Sequence, residues 1–355
     1  METIFIGIAS YNEEDLIDSI TTAFSNAACP ENVYVGVALQ YPDSKTPDLS
    51  KFKNVQSVEI HEETGAGLGT ARGMSVSFYN NEKYYLQIDA HTIFNPNWDK
   101  TLIDNYNLLK TNFEKPIIST YAPFYFKDKF TGQKLTMDGD LKWDVYREPF
   151  TLVTWSNPRA FKKISNTESY YVDAYGINAL ETPSPAIAEF NDLGYEEHYF
   201  ISGHFLFTSG SFIEEIKYDP LLAYHEENVI ALMAWTRGYR IFNIKDHVLW
   251  TRGVNGFSKD FENSWKLKYD KKDKNGVSFH DRVTRGTLRN KDILTGKVLG
   301  EWGATTQELL DEYELRANLD YKKFYQDMYE VVERTGNRYH AAKALYDLDM
   351  ARGSI

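Results

Sequence analysis

Asp89, Ala90 and His91 close the run YYLQIDAH, and they are the residues of this chain whose types and spacing most directly suggest chemistry. In extended backbone, side chains two apart point to one side, so the Asp89 carboxylate and the His91 imidazole can converge on a single ion. A carboxylate with an imidazole and open positions suits Mn2+, and Mg2+ less well, with the vacant positions taking diphosphate oxygens and water. Such an ion neutralises the charge that builds on a leaving diphosphate. Asp-x-His also arises by chance, and a capping or loop role competes with ligation. Position favours ligation, because the pair ends a strongly apolar strand. A third ligand is expected from His247 in IKDHVLWTR, which follows the strand RIFNI, although a histidine beside Val248 and Leu249 can equally be a hydrogen-bonded core residue.

Two further groups carry charge to plausible places. ETGAGLGTARG sets glycines and Arg72 where a loop enters a helix, so that backbone amides and a guanidinium could meet a phosphate, or the aspartate that binds it. A nucleotidyltransferase would carry such glycines after its first strand, whereas here they follow the third. Glu226 and Glu227 stand at the start of a helix, where two carboxylates suit the helix dipole. Alternatively one of them contacts a substrate or acts as a base. His204 is kept as a pocket candidate, while Tyr170, Tyr171 and Tyr175 receive no role, since aromatic residues are more often core or loop anchors.

The elements that must position these residues alternate. IFIGIA (4–9), VYVGVAL (33–39), VQSVEI (55–60) and KYYLQID (83–89) read as buried strands, with helices after the first and over 67–79 and 97–110. Asn12 is expected to cap the first helix, with Glu13, Glu14 and Asp15 as its acidic first turn. Alternation of this kind gives an α/β fold, a mostly parallel sheet flanked by helices with its ligand crevice at the carboxyl ends of the strands. Ser10, Tyr11 and Asp89 all fall on that rim. The 125–200 stretch is irregular and rich in aromatics. Strand and helix patterns return over 204–216, 225–239 and 240–244, and the chain beyond 300 is helical.

Size and composition fit a globular protein: 355 residues, 42% apolar and 25% charged. The N-terminus lacks the apolar length of a secretory or membrane segment, and the single cysteine, Cys29, rules out an internal disulfide framework. A cytoplasmic protein with no membrane partner is expected. The net charge of −12 weighs against broad nucleic-acid affinity, leaving one basic stretch, Lys259 to Lys291, as either a solvated mobile loop or a local binding surface.

The run TARGMSVSFYNNEKYYLQIDAHTIFNPNWDKTLI and the segment HEENVIALMAWTRGYRIF resemble the polypeptide GalNAc-transferases, which are glycosyltransferases of the GT-A fold. IFIGIASY, VYVGVALQ, KYDPLLAYHEE, HVLW-x-R and GEWGATTQELLDEYE bring the chain nearer to the cytoplasmic family that attaches GlcNAc to hydroxyproline of a protein. The resemblance implies a GT-A domain over 1–256 and a basic loop with a helical extension over 257–355. It further implies a UDP-sugar donor, retention of anomeric configuration, and Asp89, His91 and His247 as metal ligands. Ser10, Tyr11 and Arg72 would contact the nucleotide, and Glu226 and Glu227 would face sugar or acceptor. The acceptor would be a macromolecular hydroxyl, on protein or alternatively on a hydroxylated DNA base.

Overall fold

The computed structural model describes residues 2–41, 46–60, 66–120, 122, 124–127, 134–136, 194–223, 226–252, 271–317, 319–335 and 340–353. Its centre is an eight-stranded sheet in the order β3 (Val55–Glu59), β2 (Val33–Gln40), β1 (Ile4–Tyr11), β4 (Tyr84–Asp89), β10 (Phe205–Ser209), β6 (Lys115–Ile118), β11 (Tyr239–Ile244), β9 (Tyr195–His198). β1 is paired in parallel on both sides, to β2 and β4, which is why its sequence is a continuous apolar run. β10 then inserts antiparallel between β4 and β6, and β9 runs antiparallel at the edge, so the sheet is mixed but mostly parallel. Alternation within β1 feeds two cores. Ile4, Ile6 and Ile8 face the layer holding α1 (Leu16–Ser25) and α3 (Trp98–Lys110). Phe5 faces the layer of α4 (Phe212–Glu215) and α5 (Glu227–Thr236), to which α6 (Phe279–Leu294) and α7 (Gln307–Ala317) add Ile293, Leu294, Leu310 and Tyr313.

A second sheet, β5 (Thr92–Phe94), β12 (Leu249–Arg252), β7 (Phe124–Lys127) and β8 (Lys134–Thr136), packs beside the first. Its strands are three or four residues long, too short for periodicity to reveal them. They matter because β5 follows His91 directly and β12 brings Arg252 to it.

Local sequence misplaces the start of α1. The helix begins at Leu16, with Asp15 as N-cap, and no side chain caps it. Asn12 instead takes a left-handed turn (φ 51°), a conformation asparagine tolerates, and this throws Glu13–Asp15 into a loop over the end of β1. Tertiary partners, described below, outbid the helix dipole for these carboxylates.

The glycines before Arg72 also have a packing reason. A Cβ on Gly69 would lie 2.2 Å from the Asp219 carbonyl oxygen, and one on Gly67 2.7 Å from Ala223 Cα. α2 (Leu68–Ser75) thereby presses against the 219–223 segment, and the Leu68 and Gly69 N–H groups donate to the carbonyls of Ala223 and Leu222. These two amides are therefore spent within the protein and are not offered to a phosphate.

The basic stretch is a helix over Phe279–Leu294 where a mobile loop is the sequence expectation. Arg282 pairs with Asp273, Arg289 with buried Asp219, and Lys291 with buried Asp349 of α9 (His340–Ala351). Lys291 also lies over the ring of Tyr329 in α8 (Tyr321–Thr335). Residues 259–270 of the stretch, like Tyr170, Tyr171 and Tyr175, lie outside the described residues. Among the described residues, no helix is long and apolar enough to cross a membrane.

Candidate functional site

β4 ends at Asp89, in register with Ala9 of β1, so the loop after β1 and the Asp89-Ala90-His91 turn share one rim of the sheet. The two side chains face each other, with His91 Nε2 3.8 Å from Asp89 Oδ2. That is within the roughly 4.2 Å that two donors each about 2.1 Å from a common ion can span. Each side chain is backed by an ionic partner. Asp89 Oδ1 accepts from Arg72 Nη2 at 3.2 Å, which leaves Oδ2 toward His91, and His91 Nδ1 lies 3.1 Å from Glu13 Oε2. A histidine with a carboxylate behind its second nitrogen is a recurrent second layer of metal sites. Asp89, with 32% of its side chain exposed, is the member that opens to solvent; Glu13 and Arg72 are buried. The donor set thus fits a divalent ion.

Burial raises the cost of charge here, yet both side chains stay biased toward it. For Asp89, desolvation is outweighed by His91 and Arg72, which hold its carboxyl below the usual range. For His91, desolvation is outweighed by the charge and hydrogen bond of Glu13, with Asp89 adding, so its imidazole binds a proton more readily than usual.

Arg72 joins the third corner. Its Nε donates to Glu226 Oε1 at 2.8 Å and its Nη2 to the Gly203 carbonyl at 2.8 Å. At the start of α5, Glu226 is therefore committed to Arg72, while half-buried Glu227 accepts from the Gly203 N–H at 2.8 Å. Burial, then the neighbouring Glu226, pushes the Glu227 carboxyl up to about 7. One guanidinium thus links Asp89 to Glu226, which it reaches across 154 residues of sequence.

The other predicted residues separate. Ser10 is buried and shares a hydrogen bond with the Tyr41 hydroxyl, while Tyr11 ends β1 on the rim, half-buried. His247 is carried away from the ion pair. β12 pairs with β5 as Leu249 with Phe94 and Thr251 with Thr92, and the Arg252 N–H donates to the His91 carbonyl at 3.1 Å. His247 therefore lies five residues from the His91 end, about 16 Å along an extended strand. Its carbonyl accepts from Asn95 and its ring packs edge-on against Trp250. Among the described residues no cluster of three His, Cys, Asp or Glu side chains is placed to hold an ion. The structure does not unite His247 with Asp89 and His91.

Sequence reasoning missed Glu13 and Arg252. Arg252 is fully buried, bonded to Asp15 and, at 2.8 Å, to Glu14, and Tyr125 donates to the same Asp15 oxygen at 2.9 Å. The available signal was an acidic run immediately past the end of a rim strand.

His204, kept as a pocket candidate, is buried beside the site, with Nε2 accepting from the Ala122 N–H at 3.2 Å and Nδ1 2.9 Å from Ser202 Oγ. His198 on β9 is likewise buried, its Nε2 3.0 Å from the Ser119 carbonyl oxygen. Burial is the main reason that both imidazoles titrate near 4. Since their folded values are depressed below the unfolded 6.5, each contributes stability that is present above pH 6.5 and lost as pH falls toward 4. The contribution is on the order of 3 kcal/mol each. His198→Gln, which keeps a donor for Ser119, should flatten the fall in melting temperature between pH 6.5 and 4; an unchanged slope would show that His198 is not a source of it.

Comparison with known proteins follows the same lines. No curated protein matches the chain. Among solved structures, GalNAc-T7 with UDP, GalNAc and Mn2+ is similar at a TM-score of 0.47 and 12% identity, over 96% of this chain and 58% of that one. S. aureus TarS 1-349 in complex with UDP-GlcNAc is similar at 0.41 and 10% identity, over 99% of this chain and 92% of that one. This chain spans less than two thirds of the GalNAc-T7 structure's length. The family described as Glycosyltransferase (GlcNAc) matches residues 3–53 and 48–320, nearly the whole chain, and the protein belongs to that family of glycosyltransferases.

Proposed function

We propose that this glycosyltransferase moves a GlcNAc-like sugar from a UDP-sugar to a hydroxyl on a macromolecular acceptor, with Asp89 and His91 holding Mn2+ or Mg2+. The observation that carries this is the facing pair, Nε2 3.8 Å from Oδ2, with Glu13 behind one member and Arg72 behind the other. When bound, the ion supplies positive charge to the donor diphosphate. The chain's own residues do the positioning. Arg72 fixes the Asp89 carboxylate, and Tyr11 extends the rim toward the nucleotide. With Glu226 committed to Arg72, Glu227 is the carboxylate of the pair that meets the sugar or acceptor hydroxyl. Residues 1–256 would carry the donor site and 257–355 the extension. Resemblance to retaining enzymes supports transfer with retention of configuration.

A hydroxyproline-type protein acceptor is favoured over a hydroxylated DNA base. The net charge is −12, and Arg282, Arg289 and Lys291 of the basic stretch are paired with Asp273, Asp219 and Asp349. With Mn2+ and UDP-GlcNAc the protein is expected to release UDP slowly, EDTA should abolish the release, and a hydroxyproline peptide should gain the mass of one sugar. Metal-independent turnover, or release of pyrophosphate, would sink the proposal, and binding of UDP with no turnover on any donor would mark a catalytically silent relative.

A further inference from the structure

We infer that Glu13 is a positioning residue that sets the tautomer of His91, taking the Nδ1 proton into a hydrogen bond and leaving the Nε2 lone pair aimed past Asp89 Oδ2. This rests on the metal role proposed for Asp89 and His91. An ionised carboxylate only accepts, so the contact of 3.1 Å places the proton of a neutral imidazole on Nδ1. Nε2, on the other side of the ring, is then the unprotonated nitrogen, 3.8 Å from the Asp89 carboxylate. A hydrogen bond of this kind both fixes the ring and raises its basicity as a ligand.

The surroundings of Glu13 are built to hold it there. Its side chain is 6% exposed, its carbonyl accepts from the Tyr41 hydroxyl at 2.9 Å, and the preceding Asn12 N–H is tied to the Gln40 carbonyl at 2.9 Å. Arg252 grips both partners. Its main-chain N–H holds the His91 carbonyl, while its guanidinium binds Asp15 and Glu14 and stands 3.9 Å from Glu13 Oε1. The acidic loop and the histidine are therefore clamped by one residue, which fixes the distance between carboxylate and ring.

Two measurements test this. In metal-free wild-type protein, at a pH where the ring is neutral, nitrogen-edited NMR of the His91 side chain should show the proton on Nδ1; a proton on Nε2 overturns the assignment. Free Mn2+ measured by electron paramagnetic resonance should show Glu13→Ala binding Mn2+ about 10- to 100-fold more weakly than wild type. Glu13→Gln, which keeps an acceptor oxygen, should lose less. Wild-type affinity in Glu13→Ala would overturn the role. If the alanine variant does not fold, the glutamine variant and the wild-type tautomer decide it. If wild type itself binds no Mn2+, the metal role of Asp89 and His91 fails, and the tautomer alone decides whether Glu13 sets it.

Discussion

Asp89→Ala is expected to lower UDP release and sugar transfer by roughly 100- to 1,000-fold while leaving the protein folded. Loss of one preorganised electrostatic group at a site of developing charge has that order of effect. Here the group is a partly exposed carboxylate at the end of β4 that faces His91 and is proposed to share an ion with it. The fold should tolerate the change, because Arg72 keeps Glu226 and the Gly203 carbonyl, both at 2.8 Å, after the longer contact to Asp89 is gone. Asp89→Asn separates charge from shape: the amide oxygen can still accept from Arg72, yet the variant should be nearly as inactive as alanine. Initial rates at saturating Mn2+ and UDP-GlcNAc, with a melting curve beside them, check both halves. An alanine variant retaining a tenth or more of wild-type rate would remove Asp89 from the chemistry.

Arg72→Met should be the most destabilising single change at the site, costing about 3–5 kcal/mol in unfolding free energy. The guanidinium is 2% exposed and its partner Glu226 equally so, and removing the cation leaves a buried carboxylate without compensation. Asp89 loses its orienting donor in the same step, so activity should fall even in the fraction that stays folded. Urea titration of Arg72→Met, Glu226→Gln and the double variant is the measurement. The double variant should recover part of the loss, since neutralising Glu226 removes the uncompensated charge. A single variant that loses less than about 1 kcal/mol, or a double variant no better than the single, would contradict the coupling.

Particular residues show where sequence reading succeeds and stops. β1, β2 and β4 are legible because strands buried on both faces are largely apolar, and the first charged residue then marks the rim, as Asp89 does. Glu13 was misread because an acid one turn before an apolar helix looks the same whether it serves the helix dipole or a distant histidine. His247 could not be placed from sequence, because strand order says which end of an element faces the site only once pairing is known. The antiparallel register of β12 on β5 sets Arg252, and not His247, at the His91 end.

The juxtaposition of Asp89 and His91 was set by local sequence, since two residues separated by one, at the end of a strand, point to the same side. What holds that pair was decided only in the folded chain. Arg72 reaches Glu226 across 154 residues and Asp89 across 17, His91 meets Glu13 across 78, and Arg252 meets Asp15 across 237. No periodicity encodes such contacts. They follow from the order of strands in the sheet and from burial, which makes each charge costly until its particular partner is in place.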